Sequence, residues 1–118
     1  MNGGAGKAAT EPTIRELRRS AEAVELELYA APSMLYFDGH FPGYPILPGV
    51  VQVDWALQLG RRYLSLGTAQ ARSIQVKFRR PMPPAILMIL SLSLGRRGQL
   101  AFEYRDADGV CSSGQIGF

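Results

Sequence analysis

The feature that most constrains the fold of this chain is the run HFPGYPILPGV. Its three prolines, Pro42, Pro45 and Pro48, each fix φ near about −65° and disfavour helical geometry in the preceding residue. The run is therefore predicted to be a stiff loop. Gly43 and Gly49 supply φ freedom or room for a close backbone approach. Such stiffness suits a preorganised site better than a linker, because reacting groups must be held in place.

A helical pattern begins directly after Pro48. In GVVQVDWALQLGRRYLSL, apolar residues recur at intervals of three and four, which is typical of a helix buried over much of its circumference. Two sets of residues form the predicted apolar surface, namely Val50, Val53, Leu57 and Leu64 on one side, widened by Val51, Trp55 and Leu59.

Two ionisable residues stand out in this segment. His40 is the only histidine, and Asp54 is the only acid between Asp38 and Glu103. Histidine is the natural general base near neutral pH. Asp54 is predicted to be buried, because the helix around it is so apolar. A lone histidine can instead be structural, donating to a backbone carbonyl at a turn, but the rigid loop favours a reaction centre.

Asp54 and Gln58 lie four residues apart and so share one face of the predicted helix. They either point into one polar pocket or hydrogen-bond each other on a solvated stripe. Little polar surface lies beside them and an unpaired buried carboxylate is costly, which favours the pocket. The helix start favours a charged Asp54 whereas burial favours a protonated one, and the sequence leaves both states open.

The start of the helix also offers main-chain donors. The N–H groups of Gly49 and Val50 have no acceptor within the helix and carry its positive dipole end. Gly49 has no Cβ, so a thioester or carboxylate oxygen can approach the main chain. We predict that these amides form an oxyanion site.

These residues resemble the signature of the hotdog-fold 3-hydroxyacyl-(acyl carrier protein) dehydratases. That signature is a histidine, a Pro/Gly loop ending in PG, and then an acid and a glutamine on the central helix. The segment PGVVQVDW is most similar to ApeI-like thioester dehydratases of aryl-polyene biosynthesis. A second stretch, IQVKFRRPMPPAILMI, is similar to the family's strand and following turn, but Ala85 and Ile86 stand where the family has Gly-Asp.

The resemblance implies a reaction and a set of roles. His40 would remove the α-proton of a 3-hydroxyacyl thioester, and Asp54 would protonate or orient the departing hydroxyl. Gly49 would hold the carbonyl oxygen, and we expect Phe41, Pro48 and Gln58 to line the substrate pocket. The substrate would arrive on the phosphopantetheine arm of an acyl carrier protein, with no cofactor bound by this chain itself.

The length and pattern of the chain predict a single α+β domain. We predict a flexible N-terminal tail over residues 1–13 and one hotdog domain over residues 14–118, in which a curved antiparallel sheet wraps one central helix. TIRELRRS is interpreted as a turn or packing segment. AVELELYA, SIQVKFRR, AILMILSLSL, QLAFEYRD and VCSSGQIGF are interpreted as strands.

So small a sheet leaves edge strands and apolar surface uncovered, and pairing with a second subunit is the expected remedy. We expect a homodimer or a heterodimer with a related hotdog subunit. In the family that the chain resembles, the histidine and the acid come from opposite subunits.

Composition narrows the other possibilities. The single Cys111 rules out an internal disulfide, fits a reducing cytoplasm, and is interpreted as a small strand residue rather than a nucleophile. No metal-ligand spacing is present. The ten-residue AILMILSLSL is too short to span a bilayer. The net charge is +3, and the basic residues include three arginine pairs, Arg61-Arg62, Arg79-Arg80 and Arg96-Arg97.

One of these arginine pairs is a candidate docking site for an acidic carrier protein. Nucleic-acid binding ranks behind, because no basic strip with interleaved aromatic residues is present. Two other functions remain open. One is a hotdog thioesterase, which would activate water at the carbonyl, and the other is a non-catalytic acyl-binding scaffold.

Overall fold

The computed structural model describes residues 11–31, 46–83 and 85–118, and these form one antiparallel sheet with one long helix packed on it. This is the α+β arrangement predicted from the sequence. The elements in chain order are β1 Thr13–Arg19, β2 Ala23–Tyr29, α1 Gly49–Tyr63, β3 Ser73–Phe78, β4 Leu87–Leu94, β5 Leu100–Asp106 and β6 Gly109–Gly117.

The sheet has the order β1-β2-β4-β5-β6-β3, and every neighbouring pair is antiparallel. The run AILMILSLSL supplies β4, so its interpretation as a strand is confirmed, and β4 has a partner on each side. Its residues Met88, Leu90 and Leu92 are buried and alternate with more exposed neighbours, as expected for a strand with one face on the core. Short turns at GRRG and around Asp108 join β4 to β5 and β5 to β6.

The interpretation of TIRELRRS as a turn or packing segment was wrong, because this segment is the edge strand β1. Within β1 only Ile14 is partly buried, and the other residues are exposed. The period-2 alternation that marks a half-buried strand is therefore missing. Charged side chains hold the edge instead: Arg15 pairs with Glu27 at 3.0 Å and Arg18 with Glu25 at 2.8 Å across to β2. The predicted tail over residues 1–13 lies mostly outside the described residues and stays a prediction, although β1 already includes Thr13.

Helix α1 buries the side formed by Val51, Trp55, Ala56 and Leu59 against the sheet. This is the side that was predicted only to widen the apolar surface. Val50 is 75% exposed, and Val53 and Leu57 are half-buried. The apolar side predicted from Val50, Val53, Leu57 and Leu64 is therefore not the main buried side of α1, although Val53 and Leu57 pack in part against the core and Leu64 is buried.

Ala85 adopts the left-handed backbone conformation, with φ of 65°. This residue replaces the glycine that the family pattern has at the turn before β4. The conformation is held by the Ala85 N–H, which donates to the carbonyl of Ala30 at 2.8 Å. An alanine Cβ is strained in this region, whereas glycine is not.

Ala85→Gly is therefore expected to stabilise the protein by roughly 0.5–1 kcal/mol, because the relief of strain outweighs the greater entropy of the unfolded chain. Urea unfolding measures the difference. Ala107→Gly, at an exposed turn residue for which no positive φ is recorded, is the control and should be neutral or destabilising. A loss of stability in Ala85→Gly would contradict the strain.

Candidate active site

The start of α1 opens on a cavity of about 320 Å³. The cavity is bounded by the loop before the helix and by the segment that follows β3. Its lining residues are Ile46, Leu47, Gly49, Gln52, Phe78, Arg79, Arg80 and Pro81. Of the residues predicted for the site from the sequence, Gly49 lines this cavity directly, and Pro48 lies between two of its lining residues.

The first two amides of α1 are left without an acceptor among the described residues. The Pro48 carbonyl accepts from the N–H groups of Val51 and Gln52, both at 3.1 Å, and the helix has no side-chain cap and no acid in its first turn. Gly49 and Val50 are the residues whose N–H groups the sequence assigned to an oxyanion site. Their role stays a prediction, but the geometry leaves these donors available.

The Phe78 ring, rather than the backbone conformation, restricts the space at Gly49. A Cβ placed on Gly49 would lie 2.4 Å from the Cζ atom of Phe78, far inside van der Waals contact. The φ of Gly49 lies outside the left-handed region, so any residue could adopt it. Phe78 is the last residue of β3 and is 52% exposed. This contact could not be predicted from the sequence, because it depends on how β3 packs against the helix start.

Asp54 is exposed in the single chain, so the prediction of a buried carboxyl was wrong for this chain taken alone. Gln58 is also exposed, and its Nε2 donates to Asp54 Oδ1 at 3.5 Å. This is the solvated pair that the sequence left open as the alternative to a pocket. The physical reason is the rotation of α1, which turns Asp54 away from the sheet together with Val50 and Leu57. The result is a partly exposed helix side on which the exposed Val50 and the half-buried Leu57 accompany one carboxyl group.

The sequence analysis missed Gln52, the buried polar residue of the helix. Gln52 is 3% exposed, and its Nε2 donates to the Leu47 carbonyl at 3.0 Å. Its Oε1 accepts from the Ser112 hydroxyl at 2.7 Å, and its main-chain carbonyl accepts from the Tyr104 hydroxyl at 2.6 Å. The sequence offered only a weak signal, since Gln52 lies among Val51, Val53 and Trp55 in an apolar run, and its burial follows from the rotation of the helix.

Burial raises the pKa of Tyr104 well above its ordinary value, with a further contribution from the charge of Asp54. Tyr104 therefore stays protonated and acts as a hydrogen-bond donor. Its donation to the Gln52 carbonyl fastens the middle of the sheet to the first turns of α1.

Arg80 fastens the β5–β6 turn beside the cavity. Its guanidinium donates to Asp106 and to the Gly109 carbonyl. The hydrogen bond from Arg80 lowers the pKa of Asp106 to about 2. Burial raises the pKa of the Cys111 thiol to about 11, so this buried strand residue is not a nucleophile near neutral pH. The interpretation of Cys111 as a small strand residue is confirmed.

His40 and Phe41 lie outside the described residues, so their assignment as catalytic base and pocket residue stays a prediction. Within the described ranges, no three His, Cys, Asp or Glu side chains are grouped so as to hold a metal ion. The only helix of those ranges, α1, is too short and too polar to cross a bilayer.

Comparison with known families gives one match over most of the chain. The model of the ApeI-like family, described as ApeI dehydratase, matches residues 16–115. A 3-hydroxyacyl-(acyl-carrier-protein) dehydratase FabZ from Erythrobacter litoralis is 34% identical over 90 residues, which are 66% of this chain and 60% of that protein. FabZ from Syntrophotalea carbinolica is 36% identical over 78 residues, 57% of this chain and 52% of the relative. The chain thus spans between about half and three fifths of these curated relatives.

Solved structures agree with this match and confirm the hotdog fold. The dehydratase heterocomplex ApeI:P from Xenorhabdus doucetiae contains a chain that is 31% identical, with a TM-score of 0.82 over 90% of this chain and 96% of that one. An uncharacterized protein from Erwinia carotovora subsp. atroseptica is also 31% identical, with a TM-score of 0.74 over 89% and 93% of the two chains. Thioesterase superfamily member 2 from Mus musculus shares the fold alone, at 6% identity and a TM-score of 0.68 over 87% and 78% of the two chains.

Proposed function

This chain belongs to the ApeI-like dehydratase family, and we propose that it removes water from a 3-hydroxyacyl thioester on an acyl carrier protein to give the trans-2-enoyl thioester. One observation supports this reaction above the others. The N–H groups of Gly49 and Val50 have no acceptor among the described residues and lie at the start of α1, where the cavity opens. The same helix carries the exposed carboxyl group of Asp54. Donors held in this way stabilise an oxygen that gains negative charge during reaction.

The proposed chemistry divides the elimination between a base and an acid. His40 takes the proton from the α-carbon, and the electron pair of that C–H bond moves into the bond to the carbonyl carbon. The Gly49 and Val50 amides stabilise the enolate oxygen formed in this step. The enolate then collapses: the carbonyl re-forms and the electron pair makes the double bond between the α- and β-carbons as the C–O bond to the β-hydroxyl breaks. Asp54, in its protonated form, supplies the proton with which hydroxide leaves as water. A final exchange with solvent returns both side chains to their starting states.

We propose that a second hotdog subunit completes the site. The side of α1 that carries Asp54 also presents Val50, Val53 and Leu57, and an apolar surface around a carboxylate is typical of an interface rather than of a solvated face. The similarity to a chain of the ApeI:P heterocomplex supports either a second copy or a related hotdog chain as the partner. His40 of one subunit then meets Asp54 of the other.

The carrier-bound substrate is proposed to reach the site past Arg79. Arg80 is committed to Asp106, whereas the exposed guanidinium of Arg79 has no acceptor among the described residues and lies at the cavity. Arg61 and Arg62, by contrast, donate to the Ala69 carbonyl and to Glu11. The Arg79-Arg80 pair is therefore the best supported of the three arginine pairs for docking an acidic carrier.

Arg79→Glu is expected to raise KM for a carrier-bound substrate roughly tenfold and to leave KM for a short N-acetylcysteamine thioester nearly unchanged, because only the carrier is acidic. Arg96→Glu is the matched control, because it makes the same charge change at the β4–β5 turn. This turn lies at the end of the β5–β6 ladder that is remote from Arg79. Equal effects of the two variants on the carrier-bound substrate would argue against docking at Arg79.

We further propose that the reaction needs no cofactor beyond the carrier's phosphopantetheine arm, that it takes place in the cytoplasm, and that the acyl chains are those of aryl-polyene or fatty-acid-like biosynthesis. The resemblance to ApeI-like dehydratases supports the choice of chain, and the single buried thiol of Cys111 fits a reducing compartment.

Incubation with a 3-hydroxyacyl N-acetylcysteamine thioester tests the reaction class. Dehydration gives an enoyl thioester with a new ultraviolet absorbance and no free thiol. Release of free thiol without enoyl product would identify a thioesterase, and neither product from a correctly assembled protein would identify an acyl-binding scaffold. The low identity of the thioesterase neighbours shows the fold alone and gives no support to hydrolysis.

A further inference from the structure

We infer that Gln52 is a positioning residue for the proposed dehydration, because it holds the two consecutive peptide planes that lead into the helix, the second of which carries the Gly49 N–H. The inference rests on the proposed function and adds to it a residue to which sequence reasoning gave no role. Gln52 is also a lining residue of the cavity at the helix start, so it lies next to the donors that it is inferred to hold.

The first peptide plane joins Leu47 to Pro48. Its carbonyl accepts from Nε2 of Gln52 at 3.0 Å, while the N–H of Leu47 donates to the Met82 carbonyl at 2.8 Å. Leu47 is itself buried, so its carbonyl has no access to bulk water as a replacement partner. The Gln52 side chain therefore satisfies this carbonyl and sets its direction.

The second peptide plane joins Pro48 to Gly49. The Pro48 carbonyl points into the helix, where it accepts from the main-chain N–H of Gln52 at 3.1 Å as well as from that of Val51. In a trans peptide the N–H points opposite to the carbonyl, so the Gly49 N–H is directed away from the helix. One residue thus holds both planes, one through its side chain and one through its main chain.

Gln52 is in turn anchored on the sheet. Its Oε1 accepts from Ser112, which lies on β6 opposite Phe78 of β3 and Tyr104 of β5, and Tyr104 donates to its main-chain carbonyl. Ser112 and Tyr104 are fully buried. A buried polar network in which the members find partners is rigid, because any movement leaves a donor or acceptor unsatisfied. The position of the Gly49 amide is therefore set by contacts with the middle of the sheet rather than by a loop.

Gln52→Leu is expected to lower kcat roughly tenfold to a hundredfold with KM changed less than about threefold, because misdirected amides weaken binding of the enolate more than binding of the substrate. Gln115→Leu, an exposed glutamine on the same strand as Ser112, is the matched control and should keep both constants. Assays run well below the unfolding temperature of each variant. A kcat within twofold of wild type in folded Gln52→Leu would overturn the inference.

The pH dependence of kcat in Gln52→Glu distinguishes a positioning role from a purely structural one. The protonated side chain can still donate to the Leu47 carbonyl and accept from Ser112, whereas the ionised one turns an acceptor toward that carbonyl. The kcat of this variant should therefore rise toward the wild-type value as pH falls through the titration of the new carboxyl group, a limb absent from wild type. A pH profile with the shape of the wild-type curve would overturn the positioning role.

The inference and the proposed function can fail separately. If wild type forms no enoyl product, the proposed function fails, and the positioning claim is judged by ¹⁵N relaxation alone. The amide of Gly49 should then have a lower order parameter in Gln52→Leu than in wild type, and an unchanged order parameter would overturn the claim. If wild type forms the product and Gln52→Leu forms it equally fast, only the positioning claim fails.

Discussion

Asp54→Ala and His40→Ala are each expected to lower kcat for dehydration roughly a hundredfold to ten-thousandfold, the range that general acid and general base catalysis contribute. Each change removes one of the two proton transfers and leaves the other group in place. Asp54 is exposed and hydrogen-bonded only by Gln58 among the described residues, so its loss costs little folding stability in the single chain. Initial rates with a 3-hydroxyacyl thioester, together with circular dichroism of the variants, measure both effects.

Asp108→Ala is the control for Asp54→Ala. Asp108 is an exposed acid in the turn between β5 and β6, and it does not line the cavity at the start of α1. Its replacement should leave kcat within about twofold of wild type. Turnover near the wild-type rate in either Asp54→Ala or His40→Ala would remove that residue from the reaction.

Gly49→Ala is expected to lower kcat roughly tenfold to a hundredfold, because the new methyl group must displace the Phe78 ring or shift the helix start that presents the amide donors. Phe78 is half exposed, and its side chain can move aside at the expense of the cavity that it lines. Steady-state kinetics of the variant, with unfolding followed separately, distinguish a change at the site from a loss of folded protein.

The double variant Gly49→Ala/Phe78→Ala separates space from conformation. Removing the ring opens room for the new methyl group, so the double variant should be faster than Gly49→Ala and comparable to Phe78→Ala alone. This non-additivity is expected of two groups in direct contact. If the double variant is as slow as the product of the two single effects, the Phe78 contact is not the reason that residue 49 is a glycine.

The sequence predicted most of the fold, because its patterns follow from local geometry. The alternation in β2 and the apolar run of β4 correspond to one buried strand face, and the loop with three prolines places the helix start at Gly49. The edge strand β1 was missed because pairing with β2, rather than burial, makes it a strand. Local patterns carry no information on which segments pair across the sheet.

The site was predicted less completely than the fold. The positions of Gly49 and Asp54 on one helix follow from the sequence, but the rotation of that helix on the sheet does not, since both of its sides are apolar. The rotation decides that Gln52 is buried and that Asp54 is exposed. Likewise, the contact between Phe78 and Gly49 joins residues far apart in the chain and is set by packing alone.

Mixing His40→Ala with Asp54→Ala is the measurement that tests the central claim most directly, namely that these two residues act together in one site shared between subunits. In a homodimer, random exchange makes about half of the dimers mixed, and each mixed dimer keeps one intact site of two, so about a quarter of wild-type activity is predicted to return. Each variant alone should stay inactive. Exchange shown by native mass spectrometry with no return of activity would contradict the shared site.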